Sequence, residues 1–140
     1  MIYLDTSVLG AIFFREPGAA RLVGRLERQR TGRLMISAWT LTEMASIGGI
    51  KQRTGSINAE TRQQALANFQ RFASTHLSMT EIEPTDFRTA AALIDSPIAL
   101  RAGDALHLAV ARRLGARLAS LDKQLCSATK ALGLALFELA

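Results

Sequence analysis

Short apolar runs alternate along this chain with longer stretches in which apolar residues recur at helical spacing. Ile2 to Leu4 is apolar on both faces and predicts a short buried strand. Thr6 or Ser7 can cap a helix running to about Phe14, which Glu16-Pro17-Gly18 interrupts. Leu22, Val23 and Leu26 then recur at helical spacing as far as Thr31-Gly32. Leu34-Met35-Ile36 predicts a second strand, and Ser37 can cap a helix carrying Trp39, Leu41, Met44, Ala45 and Ile47. Gly48-Gly49 is expected to weaken or kink that helix. Asn58 opens another, with Ala65, Leu66, Phe69 and Phe72 on one face.

The second half repeats the alternation. Leu77 to Ile82 predicts a third strand, and Pro84 starts a helix to about Ile94. Ala102-Gly103-Asp104 opens a strongly apolar helix ending at Leu114-Gly115. Arg117 to Leu121 predicts a strand, Lys123 to Ala131 a helix, and Leu134 to Phe137 a last strand. Strands alternating with helices argue for a parallel, three-layer α/β fold. No repeat or low-complexity tract divides the chain, so residues 1–140 are read as one domain.

At this length the chain can bury roughly 68–70% of its unfolded surface without staples. With 49% hydrophobic and 21% charged residues, it is ordinary globular sequence and not a disordered segment. The single Cys126 excludes an internal disulfide and fits the reducing cytoplasm. The apolar stretch from Val8 to Phe14 is too short to span a bilayer and has no basic leader, so no membrane role is expected.

Four acids stand out against this pattern, each embedded in apolar sequence where a strand ends or a helix begins: Asp5, Glu43, Asp104 and Asp122. In an open parallel sheet, ligands bind in the crevice beyond the carboxyl ends of the strands. Asp5 and Asp122 should therefore face one crevice. Crowded carboxylates repel and raise one another's pKa unless a cation neutralises them. The pattern points to a hard-metal site, and such a site to phosphate chemistry. Duller roles exist for each. Asp5 and Asp122 suit helix N-caps, although Thr6 and Ser7 stand ready beside Asp5. Asp104 lies in a first helical turn, where the macrodipole favours an anion by roughly 0.3–1 kcal/mol.

Charge adds a second clue. Lys and Arg number 17 against 12 Asp and Glu. With four acids gathered in one pocket, the remaining eight face all 17 cations, which suits a polyanion held by its backbone. The arginines at 21, 25, 28, 30 and 33 also read as the solvated face of one helix and its exit. Arg101 and Lys123 flank two of the acids and are candidates to hold phosphate, or plain solvated charges. His107 shares a helix face with Asp104 and is read as a hydrogen-bonded, partly buried histidine. Trp39, Phe13 and Phe14 are read as core. No His/Cys spacing suits structural zinc.

These segments resemble a known family, the PIN-domain ribonucleases, and within it the VapC-type toxins of type II toxin–antitoxin systems. The matching stretches are Ile2-Tyr3-Leu4-Asp5-Thr6-Ser7-Val8-Leu9, Glu16-Pro17-Gly18, Leu41-Thr42-Glu43, Arg101 through Ala109, and Leu121-Asp122. Gly103-Asp104-Ala105-Leu106-His107-Leu108-Ala109 is the most specific piece. The resemblance runs end to end. It implies a PIN-like α/β/α sandwich with a mostly parallel central sheet, and Asp5, Glu43, Asp104 and Asp122 as an acidic quartet around Mg²⁺ or Mn²⁺. It places Ser7 as the small polar residue near the metal and Ser120 as the hydroxyl two positions before the last acid. It further implies an RNA substrate, tRNA or ribosomal RNA, a VapB-type antitoxin as inhibitor, and a homodimer.

The chemistry agrees with the donor set. Oxygen-only ligands select Mg²⁺ or Mn²⁺ over softer metals. Asp5 and Asp104 are the expected main ligands, Asp122 the holder of a second or water-mediated ion, and Glu43 the residue that orients or deprotonates water. Rival readings fare differently. A receiver domain needs paired acids after the first strand, and a haloacid-dehalogenase-type phosphatase needs Asp-x-Asp; Thr6 and Ser7 break both patterns. A housekeeping PIN nuclease and a non-catalytic RNA- or protein-binding module of this fold stay as alternatives. The intact quartet speaks against the latter.

Overall fold

The computed structural model describes residues 1–29 and 32–139. Its elements run β1 (Ile2–Leu4), α1 (Thr6–Phe13), α2 (Ala19–Glu27), β2 (Leu34–Ser37), α3 (Ala38–Arg53), α4 (Ala59–His76), β3 (Ser78–Thr80), α5 (Pro84–Ile94), α6 (Ala102–Leu114), β4 (Arg117–Ala119) and α7 (Lys123–Ala131). The four strands form one sheet in the order β3-β2-β1-β4, and every pairing is parallel. β1, between β2 and β4, is completely buried, as its unbroken apolar run requires.

Successive strand side chains point to opposite faces, so the strands feed two cores at once. Tyr3, Met35 and Leu118 join Leu106, Leu108 and Val110 of α6 and Leu125 of α7 on one face. Ile2, Leu4, Ile36 and Ala119 join Val8, Leu9, Leu26, Met44 and Phe69, from α1 to α4, on the other. The result is the three-layer α/β/α arrangement expected from the alternating pattern. Among the described residues no helix is long and apolar enough to cross a membrane.

Several local expectations need correction. Asp5 itself is the N-cap of α1, accepting from Val8 N, while Thr6 and Ser7 lie inside the first turn and bond elsewhere. Ser37 stands at the N-cap of α3 without capping it, because its hydroxyl is taken by Tyr3. Gly48-Gly49 does not break α3, which is continuous over 16 residues. A Cβ on Gly48 would sit 3.2 Å from Arg62 Cγ of α4 and 3.4 Å from Phe14. Packing, not helix propensity, set that residue.

β3 is shorter than the apolar run predicted, and β4 ends at Ala119 because Ser120 turns its hydroxyl to Asp5. The last strand shrinks to a single bridge between Leu118 and Leu136. α2 ends at Glu27; of the expected helix exit, Arg30 and Thr31 lie outside the described residues.

Candidate active site

Because all four strands are parallel, their C-terminal ends share one edge of the sheet, and the loops leaving them meet there. Asp5 is the first residue past β1 and is 3% exposed. Its Oδ2 accepts from Ser120 Oγ at 2.5 Å. Its Oδ1 accepts from Ser7 Oγ at 2.6 Å and from Val8 N at 3.3 Å. Burial raises the Asp5 pKa above its ordinary value, and the two hydroxyls offset only part of that shift. The same hydroxyls tie the β4 exit to the α1 entry: Leu121 N donates to Ser7 Oγ at 2.9 Å, and Asp122 N to Ser120 Oγ at 3.0 Å.

Asp122 caps α7, its Oδ1 accepting from Gln124 N at 2.9 Å and Leu125 N at 3.1 Å. Its other oxygen accepts from Arg101 Nη2 at 3.1 Å, and Arg101 Nε lies 3.4 Å from Asp104 Oδ2. One guanidinium thus bridges two predicted ligands. The Arg101 side chain is 80% exposed, so this bridge contributes little to stability and is readily exchanged. Asp104 has a raised pKa, first from burial and then from the charge of Asp122, with Glu43 adding to it against Arg101 and His107.

Glu43 anchors a third group. Its Oε1 accepts from Thr6 Oγ1 at 2.7 Å and contacts His107 Nε2. On the other side of the imidazole, Nδ1 lies 2.7 Å from the Tyr3 hydroxyl, which donates to Ser37 Oγ at 2.8 Å. Burial alone would raise the Glu43 pKa, but the hydrogen bond and charge of His107, with Thr6, outweigh it and hold the group below the ordinary carboxylate value. Glycine at 103 permits α6 to come this close. A Cβ there would sit 3.0 Å from Glu43 Oε2 and 3.4 Å from Trp39 Nε1. The indole nitrogen of Trp39 is buried on the same side as Glu43 and makes no well-formed hydrogen bond among the described residues.

The predicted residues therefore gather at one end of the sheet, but as linked sets. Asp5, Ser7, Ser120 and Asp122 form one; Asp122, Arg101 and Asp104 share a second; Glu43 belongs to the chain Ser37–Tyr3–His107–Thr6. Among the described residues, no three His, Cys, Asp or Glu side chains converge closely enough to hold a metal ion as they stand. The donor chemistry still suits a hard divalent cation. The side-chain donors of the four acids are all oxygen, and a cation would relieve the like-charge repulsion that adds to burial in raising Asp104.

Lys123 is exposed at the rim and makes no ion pair among the described residues, whereas Arg101 is engaged with the acids. The sequence reading missed Thr6, Tyr3 and Ser37, whose hydroxyls carry no pattern of their own. His107, expected to be hydrogen-bonded and partly buried, is fully buried at 2% exposure and contacts Glu43. The three-residue step from Asp104 was the available signal.

A parallel sheet with acids collected at its carboxyl edge defines a class. The PIN domain family model matches residues 2–131, and the chain belongs to that family. Within the family it is of the VapC type. It is 30% identical over 139 residues to Ribonuclease VapC46 of Mycobacterium tuberculosis, a match covering 96% of this chain and 94% of that one. Two solved structures share the fold at lower identity. The sarcin-ricin loop cleaving toxin VapC20 of Mycobacterium tuberculosis matches with a TM-score of 0.69 and 19% identity over 91% of this chain and 95% of that one. VapBC2 from Rickettsia felis, bound to a DNA fragment from their promoter, matches at 0.75 and 16%, covering 98% of each chain.

Proposed function

We propose that this chain is a Mg²⁺- or Mn²⁺-dependent endoribonuclease toxin that hydrolyses RNA phosphodiester bonds in the cytoplasm and is inhibited by a VapB-type antitoxin. The observation that carries this reading is the Asp5 carboxylate, buried at the sheet's carboxyl edge yet aligned by Ser7 and Ser120, with Asp104, Asp122 and Glu43 around the same edge. A buried acid with a raised pKa costs stability, and a binder of RNA gains nothing from it. Its relatives support the remainder, since VapC46 is a ribonuclease and VapBC2 was solved with its antitoxin.

Asp5, Asp104 and Asp122 would hold the cation, with Ser7 close by. The cation supplies positive charge at the phosphate and lowers the pKa of water. The residues of the chain do the positioning. Ser7 and Ser120 fix the Asp5 carboxylate through its two oxygens. Glu43, held toward its ionised form by His107 and Thr6, orients or deprotonates the attacking water. Arg101 can leave Asp104 and Asp122 for the substrate phosphate, because it is exposed and its pairs are weak.

The test is cleavage of total RNA by purified protein in Mg²⁺ or Mn²⁺, with EDTA as control, beside Asp5→Asn. Asparagine caps a helix as well as aspartate does, so the fold should persist, and melting in EDTA should be unchanged or higher once the buried charge is gone. Cleavage should fall by at least about 100-fold, since residues that merely orient metal ligands already cost 10–100-fold. Equal cleavage by Asp5→Asn, or in EDTA, would end this reading.

A further inference from the structure

A groove of about 600 Å³ opens beside the acids and is lined by Pro17, Arg21, Leu121, Lys123, Cys126 and Glu138, among others. One wall is the Ser120-Leu121 segment, the same segment that seats Asp5 and Ser7. The groove therefore begins where the acidic site ends. Its volume lies within the range of ordinary small-ligand pockets, which start near 300 Å³.

The charge in this groove is one-sided. Arg21 from α2 and Lys123 from α7 are both exposed, and among the described residues neither is in an ion pair. The one acid among its lining residues, Glu138, lies 3.0 Å from Lys130 in an exposed pair, so cations outnumber acids around the groove. Leu121 lines the same groove, a large apolar side chain left 42% exposed. Two cations without an ion pair among the described residues, sharing a groove with an exposed apolar side chain, match a nucleotide, with phosphate for the cations and that side chain as a ledge for the base.

We propose that this groove holds a single-stranded RNA nucleotide next to the scissile bond, with Arg21 and Lys123 contacting its backbone phosphates and Leu121 packing against its base. The proposal rests on the ribonuclease reading above and assigns its substrate subsite. It makes the recognised RNA unpaired at the cut, because a paired base could not reach the ledge. It also gives Arg21 a task that the helix pattern assigned to solvation alone.

Two measurements on the Asp5→Asn protein test it, using a short single-stranded RNA oligonucleotide. The first is affinity as a function of KCl. Each lost phosphate contact on a single strand should reduce the log–log salt slope by about 0.7, so Arg21→Ala and Lys123→Ala should each reduce it by that amount. Arg88→Ala, which removes an exposed cation from α5 outside the groove, should leave the slope unchanged. The second is alkylation of Cys126, the one cysteine of the chain, by iodoacetamide. Saturating oligonucleotide should slow it several-fold, and Leu121→Ala should weaken that protection. An unaltered slope in both groove variants, an equal loss in Arg88→Ala, or undiminished alkylation would overturn the proposal while leaving RNA cleavage by the unmodified chain intact. Failure of the unmodified chain to cleave RNA would remove the nuclease reading and the subsite with it.

Discussion

Gly103 shows how much one residue decides at this site. It precedes Asp104 in the first turn of α6, and its missing side chain lets the helix pass against Glu43 Oε2 and Trp39 Nε1. Alanine is the better helix former by about 1 kcal/mol, so Gly103→Ala should not lower stability through the helix itself. The added methyl crowds Glu43 Oε2 and makes the carboxylate, whose other oxygen meets His107 and Thr6, give by a few tenths of an ångström. We expect RNA cleavage to drop about tenfold or more while the thermal midpoint changes little, a separation read by cleavage assay and melting on the same preparation. A variant with full activity would mean that Glu43 can shift without consequence.

At the scale of elements, α5 and α6 are clamped by Asp86 and Arg113. Asp86 is 2% exposed, and Arg113 donates to its two oxygens at 2.8 and 2.9 Å while Asp86 Oδ2 also accepts from Glu83 N at 2.8 Å. Burial alone would raise the Asp86 pKa, but these bonds win and hold it below the ordinary value. A carboxylate with a depressed folded pKa contributes stability that is complete above its unfolded pKa and is lost as pH falls through the folded one. The clamp should therefore be at full strength at neutral pH and fade below about pH 4, the ordinary carboxylate value. Asp86→Asn should lose about 2–3 kcal/mol at pH 7, the range for a charge-assisted bond at a part-buried site, and its deficit should narrow in acid. Urea unfolding at several pH values measures both. A constant deficit would assign the loss to packing.

For the whole molecule, the net charge of +5 understates the contrast between an acidic edge and a basic exterior. A nuclease of that kind harms its own cell unless something covers the edge. Expression of the chain alone should arrest growth, Asp104→Asn should relieve the arrest, and co-expression of an adjacent small antitoxin gene should restore growth to the unmodified protein. Free expression without a partner would set aside the toxin assignment even if nuclease activity remained.

The linear pattern by itself determined the alternation of elements, because burial on two faces leaves an unbroken apolar strand and burial on one leaves a helical stripe. Asp5, Asp104 and Asp122 were legible for the same reason: a charge placed in apolar sequence at an element's end has to be answered by something nearby; Glu43, in the second turn of α3, was singled out mainly by the family resemblance. Tertiary structure alone decided how they are answered. Ser120 meets Asp5 across 115 positions of sequence, and His107 meets Glu43 across 64. No local spacing encodes such pairs, since they exist only once β4 lies beside β1 and α6 closes over α3. The continuity of α3 through Gly48-Gly49 was hidden likewise, because helix propensity measures an isolated helix, whereas the close approach of α4 rewards the missing side chain.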